Sequence, residues 1–139
     1  MGTEWSEAAL VPYVGLPWRL HGSDRDGVDC WGLVRLVYRE VLGIELPGYD
    51  DGYVEIADPR VPGIVTLEMD AWEPVELRMA RPLDVVLFGF PLAPVHAGLL
   101  VDPGRFLHAP VRCTSRIDRL TIGWWWSHLE GVYRCSRRR

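Results

Sequence analysis

Gly27-Val28-Asp29-Cys30-Trp31-Gly32-Leu33-Val34-Arg35-Leu36-Val37-Tyr38-Arg39-Glu40-Val41-Leu42-Gly43 is the stretch that decides the fold. Leu33, Val34, Leu36, Val37, Val41 and Leu42 recur at helical spacing while Arg35, Arg39 and Glu40 gather on the other side, so the spacing predicts an amphipathic helix laid against a core. Asp29 or the residues before it can cap the first amides, Gly43 supplies the stop, and Pro47 lies just beyond. Cys30 therefore stands at the N-terminal end of the helix. Unpaired backbone N–H groups and the positive end of the peptide dipoles favour thiolate over thiol there. Such a sulfur is a nucleophile that needs a nearby imidazole to handle its proton.

Outward from the helix, a polar, glycine-containing loop runs upstream from His21 to Gly27. Downstream, residues 47–82 are rich in Pro, Gly and Asp and read as a loop-rich connection, with weak strand-like patches at Val61–Met69 and around Val75–Met79. The last third turns to β pattern. Asp84–Phe88, Val95–Val101 and Arg105–Ala109 read as strands, the last two joined by a turn at Asp102-Pro103-Gly104, and Ser115–Leu120 and Gly131–Cys135 add short ones. A helix followed by an antiparallel sheet defines an α+β fold.

Four histidines are available to Cys30: His21, His96, His108 and His128. His96 and His108 lie on the two strands of the predicted hairpin and share a face only if the turn holds an odd number of residues. A three-residue loop of Asp102, Pro103 and Gly104, with Gly104 in the left-handed third position, sets residue 108 opposite residue 98. The imidazoles are then diagonal neighbours; an even loop separates them.

The chain has 139 residues, 48% hydrophobic and 24% charged, which bounds it to a single domain over residues 1–139 with its motif-bearing core at about 11–135. A net charge of −4 argues against a protein built to hold a nucleic-acid backbone. All 15 basic residues are arginine, which excludes Schiff-base lysine chemistry and a phosphate-loop lysine. Cys30, Cys113 and Cys135 lack the spacing of zinc or redox pairs, so no metal is expected. No apolar run suits a membrane span, and the acidic start does not read as a signal peptide, so the expectation is a chain made in the cytoplasm.

Gly15-Leu16-Pro17-Trp18-Arg19-Leu20-His21-Gly22, Gly27 to Leu33, Arg81-Pro82-Leu83-Asp84-Val85-Val86-Leu87-Phe88, Val95-His96-Ala97-Gly98-Leu99 and Phe106-Leu107-His108-Ala109 together resemble the NlpC/P60 family of papain-like cysteine peptidases. The resemblance implies an N-terminal catalytic helix packed on a central antiparallel sheet. It implies Cys30 as nucleophile, His96 as general base and acid, and His108 as the polar residue orienting His96, without a cofactor. It also implies an oxyanion hole built partly from the Cys30 N–H. Trp18 takes the place of a tyrosine near that hole, Asp29 is set to hold a free amino group of the substrate, and Trp31, where many members have serine, is expected to crowd the subsite beside the sulfur. The substrate class implied is amide bonds of bacterial peptidoglycan stem peptides. The Asp-Cys-Trp-Gly-Leu form resembles the branch encoded with phage tails and gene transfer agents, which implies tail-tip or hub proteins as partners and assembly into a phage-like tail. The alternative is a catalytically silent tail-assembly module of the same fold.

Plainer roles are expected elsewhere. Cys113 and Cys135 read as structural thiols, His21 as a loop residue, His128 as inert, and Arg137-Arg138-Arg139 as a solvated tail. Trp124-Trp125-Trp126 read as strand residues pointing alternately into the core and towards a protein contact.

Overall fold

The structure, a computed structural model, describes residues 7–48, 72–90 and 93–138. A short helix α1 (Glu7–Leu10) and a 3-10 turn lead to the two-stranded ribbon β1 (Ser23–Asp24) and β2 (Gly27–Val28), and then to α2 (Cys30–Val37). The rest comprises β3 (Trp72–Val75), β4 (Val85–Phe90), β5 (Ala93–Asp102), β6 (Arg105–His108), β7 (Arg116–Arg119), α3 (Gly123–Ser127) and β8 (Leu129–Cys135). Among the described residues, six strands form one antiparallel sheet in the order β3-β8-β4-β5-β6-β7. The expected α+β class holds.

α2 begins at Cys30, as its capping pattern predicts, but is α-helical only to Val37; Tyr38–Leu42 widen into a π turn that ends on Gly43 at φ 67°. Leu33, Val34, Leu36 and Val37 are buried against Val85, Leu87, Ala97, Leu99 and Leu107 on one sheet face. Each such leucine is worth about 2 kcal/mol by burial. The alternate residues Val86, Phe88, Leu100 and Phe106 form a second cluster with Leu120 and Val132 on the other face. Gly32 permits the close seating of α2, because a Cβ there would overlap the Gly22 carbonyl oxygen.

The hairpin reaches its expected register by another route. Asp102 pairs with Arg105 across a two-residue turn, and Val101 is an extra residue in β5, so the register shifts before Leu100 pairs with Phe106 and Leu99 with Leu107. The bulge restores the parity that an even turn alone would have broken. Gly104 is not left-handed. Its N–H donates to Asp102 Oδ1 at 2.9 Å, and Arg105 pairs with Asp102 Oδ2 at 2.8 Å, which closes the turn around Pro103.

Three further expectations are corrected. The patch at Val75–Met79 is the end of β3 followed by a 3-10 turn at Leu77–Met79, while Val61–Met69 lies outside the described residues. Trp124–Trp126 are helical: Gly123 enters α3 at φ 68°, and Ser127 Oγ donates to the Trp124 carbonyl at 3.0 Å. Arg138 is not solvated but donates to the fully buried Asp84 at 2.8 Å, and Arg134 does the same from β8 at 2.8 Å. A buried carboxylate requires such partners, which sequence order does not reveal.

Candidate active site

Asp29 sets the position of the sulfur. Its Oδ1 accepts the Gly32 N–H at 2.8 Å, the N-cap of α2, and its Oδ2 accepts the His21 N–H at 2.8 Å. Both oxygens serve the backbone and the residue is only 1% exposed, so its observed role is to hold the helix start. The ribbon before it is pinned by Val28 N–H to the Pro17 carbonyl, 2.9 Å, and Arg19 N–H to the Val28 carbonyl, 3.1 Å. Trp18 lies alongside Val28, and its Nε1–H is buried with no hydrogen-bond partner among the described residues. The residue carrying this N–H bridges to Val28, two residues before Cys30. Trp31 packs into the core. It is 3% exposed, donates from Nε1 to the Pro47 carbonyl at 2.9 Å and packs 6.3 Å from Trp72.

The sulfur meets the sheet where two strands part. Leu100 directs its N–H and its carbonyl to the β4 side, bonding Asp84 and Leu83. By alternation the Ala97 N–H points towards β6, but β6 pairs with β5 only from Leu99 to Asp102. That open amide faces Cys30 and, together with the N–H groups of Trp31 and Cys30 itself, favours the thiolate. Burial opposes them, aided by the negative charge of Asp29, and pushes the thiol up to about 12. Burial therefore acts against the thiolate that helix position alone favours.

His96 and His108 come together as the register argument requires. His96 Nε2 and His108 Nδ1 are 2.8 Å apart, with the rings nearly perpendicular at 81°. His96 is 5% exposed and His108 0%. Among the described residues no hydrogen bond joins His96 to the sulfur; its ring belongs to the face opposite α2, and Cys30 reaches the strand at the next residue, Ala97. Burial depresses His96 well below the ordinary histidine range, with His108 adding to it, and pushes His108 down to about 4 against the opposing pull of Asp118. Burial thus favours the thiol and the two neutral imidazoles over their charged forms.

Two residues of this site were not assigned to it from the sequence. Asp118 Oδ2 lies 2.7 Å from His108 Nε2, and the Trp125 ring covers both imidazoles at 5.2 Å from His96 and 4.7 Å from His108. Pairing Ser115–Leu120 with Arg105–Ala109 would have found Asp118, since His108 pairs with Arg116 and Asp118 is then its diagonal neighbour on the same face. Trp125 carries no such signal, because its inward direction depends on α3 being a helix. His128 stacks on Trp124 at 4.2 Å, Cys113 is exposed, and Cys135 is buried in the α2-side core.

The depressed histidines imply an acid-sensitive fold. As pH falls from 6.5 towards 4, unfolded chains take a proton on His108 that the folded protein refuses, so the stabilisation is complete above that window and lost through it, about 3 kcal/mol for this group. Urea unfolding midpoints measured across the window are expected to fall on acidification, with a shallower slope for His108→Gln.

A cysteine at a helix tip, facing the open edge of a strand that also carries one of two coupled imidazoles, defines the class of papain-like α+β domains. The description of the NlpC/P60 family matches residues 15–134, and the chain belongs to that family. It is 29% identical over 125 residues to the gamma-DL-glutamyl hydrolase of Bacillus subtilis, covering 88% of this chain and 27% of that protein. It is 27% identical over 111 residues to the murein DD-endopeptidase MepS/murein LD-carboxypeptidase of Escherichia coli, covering 80% of this chain and 51% of that protein. The chain thus spans about half or less of the length of these relatives. Among solved structures, it superposes on an NlpC/P60 family protein of Bacillus cereus with a TM-score of 0.68 at 20% identity, covering 88% of this chain and 36% of that one. On the NlpC/P60 domain of the peptidoglycan hydrolase SagA the TM-score is 0.65 at 23% identity, covering 91% and 93%. These likenesses establish the fold.

Proposed function

We propose that the chain is a cysteine endopeptidase or amidase that hydrolyses amide bonds in peptidoglycan stem peptides, with Cys30 as nucleophile, His96 as general base and acid, and His108 as its orienting partner. The observation that carries this is the meeting, at the open edge of β5, of the α2 sulfur with a strand bearing the hydrogen-bonded His96–His108 pair. His96 uses Nε2 towards His108, so Nδ1 is the nitrogen that takes the thiol proton once the imidazole and the sulfur are brought together on substrate binding. Because the resting sulfur is protonated, removal of that proton accompanies attack on the scissile carbonyl. The oxyanion forms beside the Cys30 N–H at the helix start. His96 returns the proton to the departing amine; a water deprotonated by His96 then attacks the thioester, and the proton passes back to the sulfur as the acid product leaves. The murein endopeptidase and glutamyl hydrolase named above support the substrate class.

Muropeptides of defined composition, incubated with the protein and separated by mass, are expected to gain one water at a single amide. Persistence of every amide across such a panel overturns the assignment. The finer setting we propose, a phage-like tail in which a local breach of the wall aids DNA delivery, rests on the resemblance of Asp29-Cys30-Trp31-Gly32-Leu33 and is tested by looking for the protein in purified particles. The burial of Cys30 favours a second reading, the silent assembly module, under which hydrolysis is absent while particles incorporate the chain.

A further inference from the structure

We infer that Asp118 is a positioning residue that fixes the order of protons along the two imidazoles, so that His96 carries its hydrogen on Nε2 and keeps a bare Nδ1. Only the kinetic part of this rests on the hydrolase assignment.

Asp118 is on β7, outside the Cys-His-His set read from the sequence. Its Oδ2 is 2.7 Å from His108 Nε2 and also accepts the Arg116 Nε–H at 2.7 Å. Arg116 faces His108 directly across the β6–β7 pair, so a guanidinium holds the carboxylate ionised beside a ring that is itself fully buried. An ionised carboxylate is an acceptor only, and therefore the hydrogen in the Asp118–His108 bond is on His108 Nε2. A neutral imidazole has one N–H, so His108 Nδ1 is an acceptor. The 2.8 Å contact between His108 Nδ1 and His96 Nε2 then requires the hydrogen on His96 Nε2. His96, also neutral, is left with an unprotonated Nδ1. Each assignment follows from the one before it, and the series begins at Asp118. Without the carboxylate the reverse order fits the same distances: His108 Nδ1–H donating to His96 Nε2, and the hydrogen of His96 on Nδ1, where it cannot receive the thiol proton.

Asp118 lies on an edge strand with 28% of its side chain exposed, so replacement is compatible with folding, and thermal unfolding of each variant provides the check. The test combines ring 15N spectra of the two histidines with kinetics on a muropeptide. In the wild type both rings are expected to be protonated on Nε2. In Asp118→Asn, whose amide can donate as well as accept, the Nδ1–H form is expected to rise in both rings together. The kcat is expected to fall about 10- to 100-fold at nearly constant KM, a share of the 100- to 10,000-fold that general acid–base help supplies. Asp118→Glu, again an acceptor only, is expected to restore most of both signals. A wild-type spectrum with the His108 proton on Nδ1, or an Asp118→Asn variant with unchanged tautomers, overturns the inference. If the wild-type spectra show the stated order and Asp118→Asn reverses it while no muropeptide is cut, the positioning role stands and the hydrolase assignment fails.

Discussion

Cys30→Ala is expected to abolish hydrolysis of every muropeptide the wild type cuts, with stability within about 1 kcal/mol of the parent. The asymmetry follows from where the sulfur sits. Cys30 is the first residue of α2, a position where alanine is a good helix former, and its cap is supplied by Asp29, which the change does not touch. The side chain is 6% exposed, so loss of the sulfur opens only a small void. Nothing else described near that helix tip can take its place. The two other thiols lie elsewhere, Cys113 on an exposed turn and Cys135 in the core against Trp72. A thioester to substrate, trapped by acid quench and seen by mass in the wild type, should be absent from the variant. Residual turnover above background would remove Cys30 from its role.

His96→Ala is expected to be nearly as damaging, and it carries a signature in pH. With the thiol pushed up to about 12, the fraction ionised at pH 7 without a base is about one in 100,000. Hydroxide must then do what the imidazole did, so the residual rate of the variant should climb about tenfold per pH unit between 7 and 10. The wild type should stay nearly level over the same span, because His96 is depressed and already neutral there. A variant keeping more than about a tenth of wild-type kcat at pH 7 would assign proton transfer to another group, since general acid–base help is worth at least about 100-fold.

The sequence carried the helix well because its signals are local: Asp29 caps, Cys30 starts and Gly43 stops, each by chemistry that acts within a few residues. The pairing of His96 with His108 was also legible, since strand parity converts residue counts into faces. The mechanism of the turn was not, because the two-residue turn with its extra Val101 gives the same register as a plain three-residue loop. The ionisation of Cys30 was misjudged for a different reason. Helix position argues for the thiolate, but burial is a property of the assembled fold, and here burial wins. Asp118, Trp125 and the Asp84–Arg138 pair depend on strand order, on a one-turn helix and on a chain end returning to the sheet, none of which a local pattern encodes.

Surface turns usually accept length changes freely. The one after Val101 is more constrained, because one residue added or lost there, with no bulge to absorb it, moves His108 to the opposite side of the ribbon and parts it from His96. A change of two residues keeps both rings on one face, as does a change of one that a bulge such as Val101 absorbs.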